Sequence, residues 1–216
     1  MLSRAHKTIF VHIPKTAGQS VVAPFLDHLG LGWDAGESLL LRAGDGPGMP
    51  ERLAHLYARE YVELGFVTQA EFDDYLKFAV IRHPYERAVS EFRYRMGKWG
   101  RRLQWSHWLT SRDFDSFMRE DYPDTFGDNA RHMCPQVAFV YDDKGKLMVD
   151  HLAEHARLDK EMAPIYRLAI GDGVAVPVRN VSPDAPGFSV NVLSQSQKDA
   201  IYRRFQDDFE AFGYRR

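Results

Sequence analysis

One pattern constrains this chain more than any other: a short apolar run stopped by proline and followed by a helical period, met twice in the same order. The first copy is Thr8-Ile9-Phe10-Val11-His12-Ile13, halted at Pro14. Val21, Val22, Phe25, Leu26 and Leu29 then recur at helical spacing from Gln19 to the stop at Gly30. β-branched and aromatic residues without polar alternation read as a strand buried on both faces, and the period that follows reads as an amphipathic helix. The second copy is Lys77-Phe78-Ala79-Val80-Ile81, with Pro84 where a first helical turn begins, leading Tyr85 to about Met96. Strands joined through a helical crossover pair in parallel. The expectation is an α/β fold with a parallel sheet.

The remaining patterns are weaker. Tyr57 to Leu64 reads as a helix ended by Gly65, and Thr68-Gln69-Ala70-Glu71 has the form of a capping box. Asp113 to Glu120 and Asp159 to Leu168 are expected helices, and Lys146 to His151 an expected strand. Ser194-Gln195-Ser196-Gln197 starts a terminal helix carrying Ile201, Phe205, Phe209 and Phe212, closed by Gly213. Residues 30 to 50, rich in glycine with Pro47 and Pro50, read as a surface connection rather than a linker. With 216 residues, 44% of them hydrophobic, the chain can bury one sizeable core, so a single domain over 1–216 is expected.

Charge excludes some partners. Lysine plus arginine number 28 against 30 acids, a formal charge of −2, so no global field draws the chain to nucleic acid or a membrane surface. Cys134 stands alone, which rules out an internal disulfide framework and suits a reducing compartment. The apolar stretch near the start is too short for a signal core or a membrane span. A cytoplasmic location without a transmembrane segment is expected, and oligomeric state is not legible.

Two constellations carry chemistry. His12-Ile13-Pro14-Lys15-Thr16-Ala17-Gly18-Gln19-Ser20 joins a strand to a helix, where converging N–H groups and the positive end of the helix dipole favour an anion. Gly18 permits close backbone approach, Lys15 adds charge, and Thr16 and Ser20 add hydroxyls. An ordinary exposed turn with a lysine has the same local form. The nucleotide-triphosphatase loop is a poor match, because there the lysine follows the second glycine whereas Lys15 precedes Gly18. No acidic strand end offers a magnesium ligand, so metal-free chemistry is expected. The second constellation is Arg82 at the end of the second strand with Ser90 on the next helix. In an open parallel sheet that strand end faces the ligand crevice, and a guanidinium grips phosphate bidentately. The competing reading is that Arg82 pairs with Glu86.

Together these segments resemble the 3′-phosphoadenosine-5′-phosphosulfate (PAPS)-dependent carbohydrate sulfotransferases, a family that includes heparan sulfate 2-O-sulfotransferase and bacterial relatives. Phe10 to Ser20 is similar to their 5′-phosphosulfate loop and Phe78 to Ser90 to their 3′-phosphate segment. The likeness continues through Pro135-Gln136, Val149-Asp150, Pro177 to Ser182 and Asp208 to Tyr214. It implies a P-loop-like three-layer fold with a central parallel β-sheet flanked by helices. It also implies that Lys15, Thr16, Ala17, Gly18, Gln19 and Ser20 hold the phosphosulfate, Arg82 and Ser90 hold the 3′-phosphate, and Asn180 and Ser182 close over the nucleotide. Gln19 stands where relatives more often carry threonine or serine.

The implied reaction moves a sulfonate group from PAPS to an acceptor hydroxyl, on a carbohydrate above all, and leaves adenosine 3′,5′-bisphosphate (PAP). Lys15 suits the leaving phosphate, and histidine suits the base. Of nine histidines, His55 in Arg52-Leu53-Ala54-His55-Leu56 resembles the family's base. His12 and His83 are other candidates, and so are Glu51, Glu60 and Glu86. Arg93, Arg95, Lys98, Arg101 and Arg102, interleaved with Tyr94, Trp99, Trp105 and Trp108, offer charge and rings to an acceptor, though a solvated helix face reads the same way. Two other activities fit the residues: a nucleotide kinase or NTPase, and a catalytically silent PAP-binding protein.

Overall fold

A computed structural model describes residues 1–46, 48–98, 107–124, 126–177 and 188–216. In chain order its elements begin with β1 (Leu2–Ser3), β2 (Thr8–Val11), α1 (Gly18–His28), α2 (Glu60–Glu63), α3 (Gln69–Asp74) and β3 (Leu76–Ile81). There follow α4 (Pro84–Lys98), α5 (His107–Phe117), α6 (Asp128–Met133), α7 (Val137–Val140) and β4 (His151–Glu154). The last are α8 (Leu158–Ala169), α9 (Gln195–Arg204) and α10 (Gln206–Phe212). They fall into two compact units, Met1–Ile81 with Asp124–Asn180, and Arg82–Pro123 with Val181–Arg216.

The first unit is built on a four-stranded sheet in the order β1-β2-β3-β4. β1 is antiparallel to β2, while β2 with β3 and β3 with β4 are parallel, with Phe10 opposite Phe78 and Val80 opposite Ala153. Those four side chains share one face and meet Val21, Val22, Phe25 and Leu26 of α1 and Met162, Ile165 and Tyr166 of α8. Phe10 stacks on Phe78 at 4.9 Å, and the Tyr166 hydroxyl donates to the Val21 carbonyl at 3.0 Å. On the opposite face Ile9, Val11 and Ala79 are also fully buried. Burial on both faces is what a parallel sheet covered by helices requires, and each large side chain so buried stabilises the unit by about 1.5–3 kcal/mol. The α/β fold with a mostly parallel sheet flanked by helices is as the sequence predicts; the short antiparallel β1 is an addition.

Several boundaries differ from expectation: the helix expected over Tyr57 to Leu64 is only Glu60–Glu63, and the one expected over Asp113 to Glu120 runs His107–Phe117. β2 ends at Val11 rather than Ile13, which releases His12 into the following turn. The strand expected over Lys146 to His151 lies instead at His151–Glu154. Asp142 Oδ1 accepts from the N–H groups of Lys144 and Lys146, and Gly145 is left-handed, so turn chemistry claims this stretch and Leu147 makes only an isolated bridge to Tyr141. The terminal helix is broken at Phe205 into α9 and α10. Its capping box at Ser194 and its left-handed close at Gly213 are as predicted.

In the second unit α4 packs with α9. Phe92, Phe114, Phe117 and Phe188 form an aromatic cluster, with Phe114 and Phe188 centroids 5.0 Å apart. Arg95 is buried against Glu91 at 2.7 Å and donates to the Tyr122 hydroxyl at 2.7 Å, so it belongs to the interior of this unit rather than to a solvated basic face. Tyr94 is exposed. Trp99, Arg101, Arg102 and Trp105 lie outside the described residues. No described helix is long and apolar enough to cross a membrane.

Candidate active site

The turn between β2 and α1 is strained in a particular way. Lys15 and Ala17 both have left-handed backbones, with φ of 70° and 69°. A residue with a Cβ accepts that conformation at a cost of about 1–2 kcal/mol, and such outliers gather at ligand-binding turns. Thr16 between them is fully buried and its hydroxyl donates to the Ile13 carbonyl at 2.8 Å. Its hydroxyl proton therefore braces the loop, and its backbone N–H is what it has to offer an anion. α1 opens at Gly18 with no side-chain cap at its N-terminus and no acidic residue in its first turn, so nothing within that turn offsets its positive dipole end. Gln19 is exposed and Ser20 buried.

Gly18 has a second reason to be glycine. A Cβ there would sit 1.8 Å from Nε2 of His12 and 2.2 Å from its Cε1. The His12 ring sits against the helix start, stacked on Phe10 at 5.3 Å and edge-on to His55 at 4.8 Å. Burial first, and then the neighbouring His55, hold its pKa well below the ordinary histidine value.

His55 ends a short 3-10 turn, Leu53–His55, and is buried. Its Nδ1 is 2.7 Å from Oδ1 of Asp128, the first residue of α6. One helical turn further on, His132 Nε2 lies 3.6 Å from the other Asp128 oxygen, and its ring is 5.0 Å from that of His55. The Asp128 N–H donates to Glu51 at 2.8 Å, and Arg52 Nε is 3.4 Å from Asp128 Oδ2. Arg131 donates to the His55 carbonyl at 2.8 Å and grips Glu60 through both terminal nitrogens at 2.7 Å. Burial drives the His55 pKa down to about 4 against the opposing hydrogen bond to Asp128, and nearby His132 lowers it further. For Asp128, burial works upward, but the hydrogen bond from His55 and the positive neighbourhood outweigh it and hold the carboxyl at about 2.

His55, Asp128 and His132 also place three donor atoms within 4.8 Å of one another. Two imidazoles and a carboxylate are a set that can suit a divalent transition ion, but the 2.7 Å from His55 Nδ1 to Asp128 Oδ1 is a hydrogen-bond distance, which puts a proton between those two atoms. Glu51 and Glu60, the acidic alternatives for a base in this unit, are engaged with the Asp128 N–H and with Arg131.

In the second unit, Arg82 pairs with Glu86, Nε to Oε2 at 3.2 Å, the competing partner that the sequence suggests. Burial lowers its pKa and Glu86 opposes that shift. Ser90 is partly buried on α4. His83 Nε2 is 3.2 Å from the Arg215 carbonyl, with its ring against Tyr214 and Phe209, which makes it part of the packing of this unit's C-terminal segment. Asn180 and Ser182 lie outside the described residues.

The sequence reading misses Asp128 and His132. Their spacing, one turn apart on a helix that starts just past Gly127, is a local signal; that the helix meets a histidine 73 positions earlier is not.

Within the first unit, then, an uncapped helix N-terminus and a lysine-bearing turn stand beside a histidine–carboxylate pair, with His12 touching both. Residues 1–215 match a family model described as the sulfotransferase family, while no curated protein and no solved structure matches significantly. Because that match runs almost the whole length of the chain, this protein belongs to the sulfotransferase family.

Proposed function

We propose that the chain transfers the sulfonate group of PAPS to an acceptor hydroxyl, with carbohydrates as the acceptor class, and that residues 1–216 act as one catalytic domain. The observation that carries this reading is the contact chain from the anion-favouring turn through His12 to His55. An acceptor oxygen attacks sulfur, the bond from sulfur to the bridging phosphate oxygen breaks, and PAP departs. The acceptor proton goes to His55, and Lys15 offsets the charge growing on the leaving phosphate. The N–H groups at the start of α1, with Thr16, Ala17, Gly18, Gln19 and Ser20, take the phosphosulfate. By the resemblance, Arg82 and Ser90 take the 3′-phosphate, and Asn180 and Ser182 close over the nucleotide. A His55 neutral at physiological pH is ready to accept a proton, and the negative charge of PAPS would raise its basicity.

Calorimetric titration with PAP, with ATP and magnesium as the control pair, tests the reading. Saturable PAP binding weakened by Arg82→Ala, with transfer lost in Lys15→Ala and His55→Ala, is the expected result. ATP binding in place of PAP would promote the kinase reading, and PAP binding without transfer to any hydroxyl acceptor would leave a silent binding protein.

A further inference from the structure

We infer that Asp128 is a positioning residue for the reaction: it holds the His55 ring with its proton on Nδ1 and its lone pair on Nε2, ready to take the acceptor proton. The inference rests on the sulfotransferase reading above and deepens it.

A carboxylate can only accept, so the 2.7 Å contact requires a donor on the histidine side. With Nδ1–H given to Asp128, Nε2 is the ring's remaining basic atom. Both ends of the contact are anchored. Asp128 is held by its own N–H to Glu51 and by Arg52. His55 is held through its carbonyl by Arg131, whose guanidinium is locked on Glu60 and lies over the Tyr57 ring at 4.5 Å. Ring and backbone of His55 are thus fixed separately, a level of support that a histidine used only for packing does not need.

Around His55 the titratable and charged groups are Asp128, His132 and Arg131 on α6, with Glu60 paired to Arg131, Arg52 before its own turn, and His12 after β2. Asp128 is in hydrogen-bond contact with the ring and favours its protonated form; His132 and Arg52 oppose it. As the acceptor O–H breaks and the oxygen bonds to sulfur, the proton moves to Nε2 and the imidazolium is stabilised by the adjacent carboxylate until it releases the proton to solvent.

The test combines activity with a readout that activity does not control. Nitrogen-15 NMR of histidine-labelled wild-type protein should show the His55 ring protonated at Nδ1 and bare at Nε2, and Asp128→Asn should lose that preference. In Asp128→Asn, kcat should fall about 10- to 100-fold with PAP affinity unchanged, Asp128→Glu should recover part of it, and the double variant His55→Ala/Asp128→Asn should be no slower than His55→Ala. An Nε2-protonated ring in the wild type overturns the inference without any variant having to fold. So does an unchanged kcat in Asp128→Asn where His55→Ala is inactive, or losses that multiply in the double variant. If the wild type neither binds PAP nor transfers, it is the sulfotransferase reading that fails, while the NMR tautomer still reports on the pair.

Discussion

Gly18 shows how one residue serves both sequence-level and packing constraints. The turn before a helix favours glycine for close backbone approach to an anion, but the tighter limit comes from the His12 ring, which occupies the volume a Cβ needs. Gly18→Ala should therefore displace His12, lower stability by about 1–3 kcal/mol as overpacking does, and weaken PAP binding; thermal unfolding and calorimetry read the two effects. Lys15 separates the same way. Its side chain supplies charge while its left-handed backbone costs energy. Lys15→Gly is expected to abolish transfer while leaving stability unchanged or raised by up to about 1 kcal/mol. A large loss of stability in that variant would mean that the lysine side chain holds the turn together.

At the scale of elements, α6 is the part of the site that sequence reading did not reach. Its Arg131 forms a buried two-pronged pair with Glu60 of α2, and the Tyr57 N–H also donates to that carboxylate at 2.8 Å. Removing one partner of such a pair leaves a buried charge uncompensated. Glu60→Gln should cost about 3–5 kcal/mol in chemical denaturation, and because Arg131 also holds the His55 carbonyl, activity should fall more than unfolding explains. In α9 the reciprocal cap between Ser194 and Gln197 is a local device. Ser194→Ala should cost about 1 kcal/mol and leave PAP binding intact, a difference measurable by denaturation and titration of the same preparation.

For the whole molecule, the buried histidine–carboxylate pair makes stability depend on acid. The folded pKa of His55, about 4, lies below the unfolded value near 6.5, so the unfolded chain binds the extra proton first. The stability tied to neutral His55 is complete above about pH 6.5 and drains as pH falls toward 4, by roughly 3 kcal/mol in all. Asp128, held at about 2, extends the loss below pH 4. Unfolding free energies measured from pH 7.5 to 4 should decline, and His55→Gln should flatten the slope; an equal slope in the variant would assign the acid sensitivity to other groups. What was legible in the sequence follows from the range over which each signal acts. The buried strands, the turn that opens α1, the Ser194 cap and the Gly213 stop are dictated by a few neighbouring residues through side-chain period and backbone preference. The strand expected at Lys146 failed because a turn built on Asp142 and Gly145 competes with it over the same short stretch. His55 stood out by resemblance, yet its partner did not. Asp128 reaches it only because α6 is fastened by the Arg131–Glu60 pair and by Glu51 beside the 3-10 turn. Local order is written in neighbouring residues, so the sequence by itself determined the strands, the turn that opens α1 and the family; proximity between residues far apart in the chain arises only from packing, so the tertiary structure decided which carboxylate meets His55.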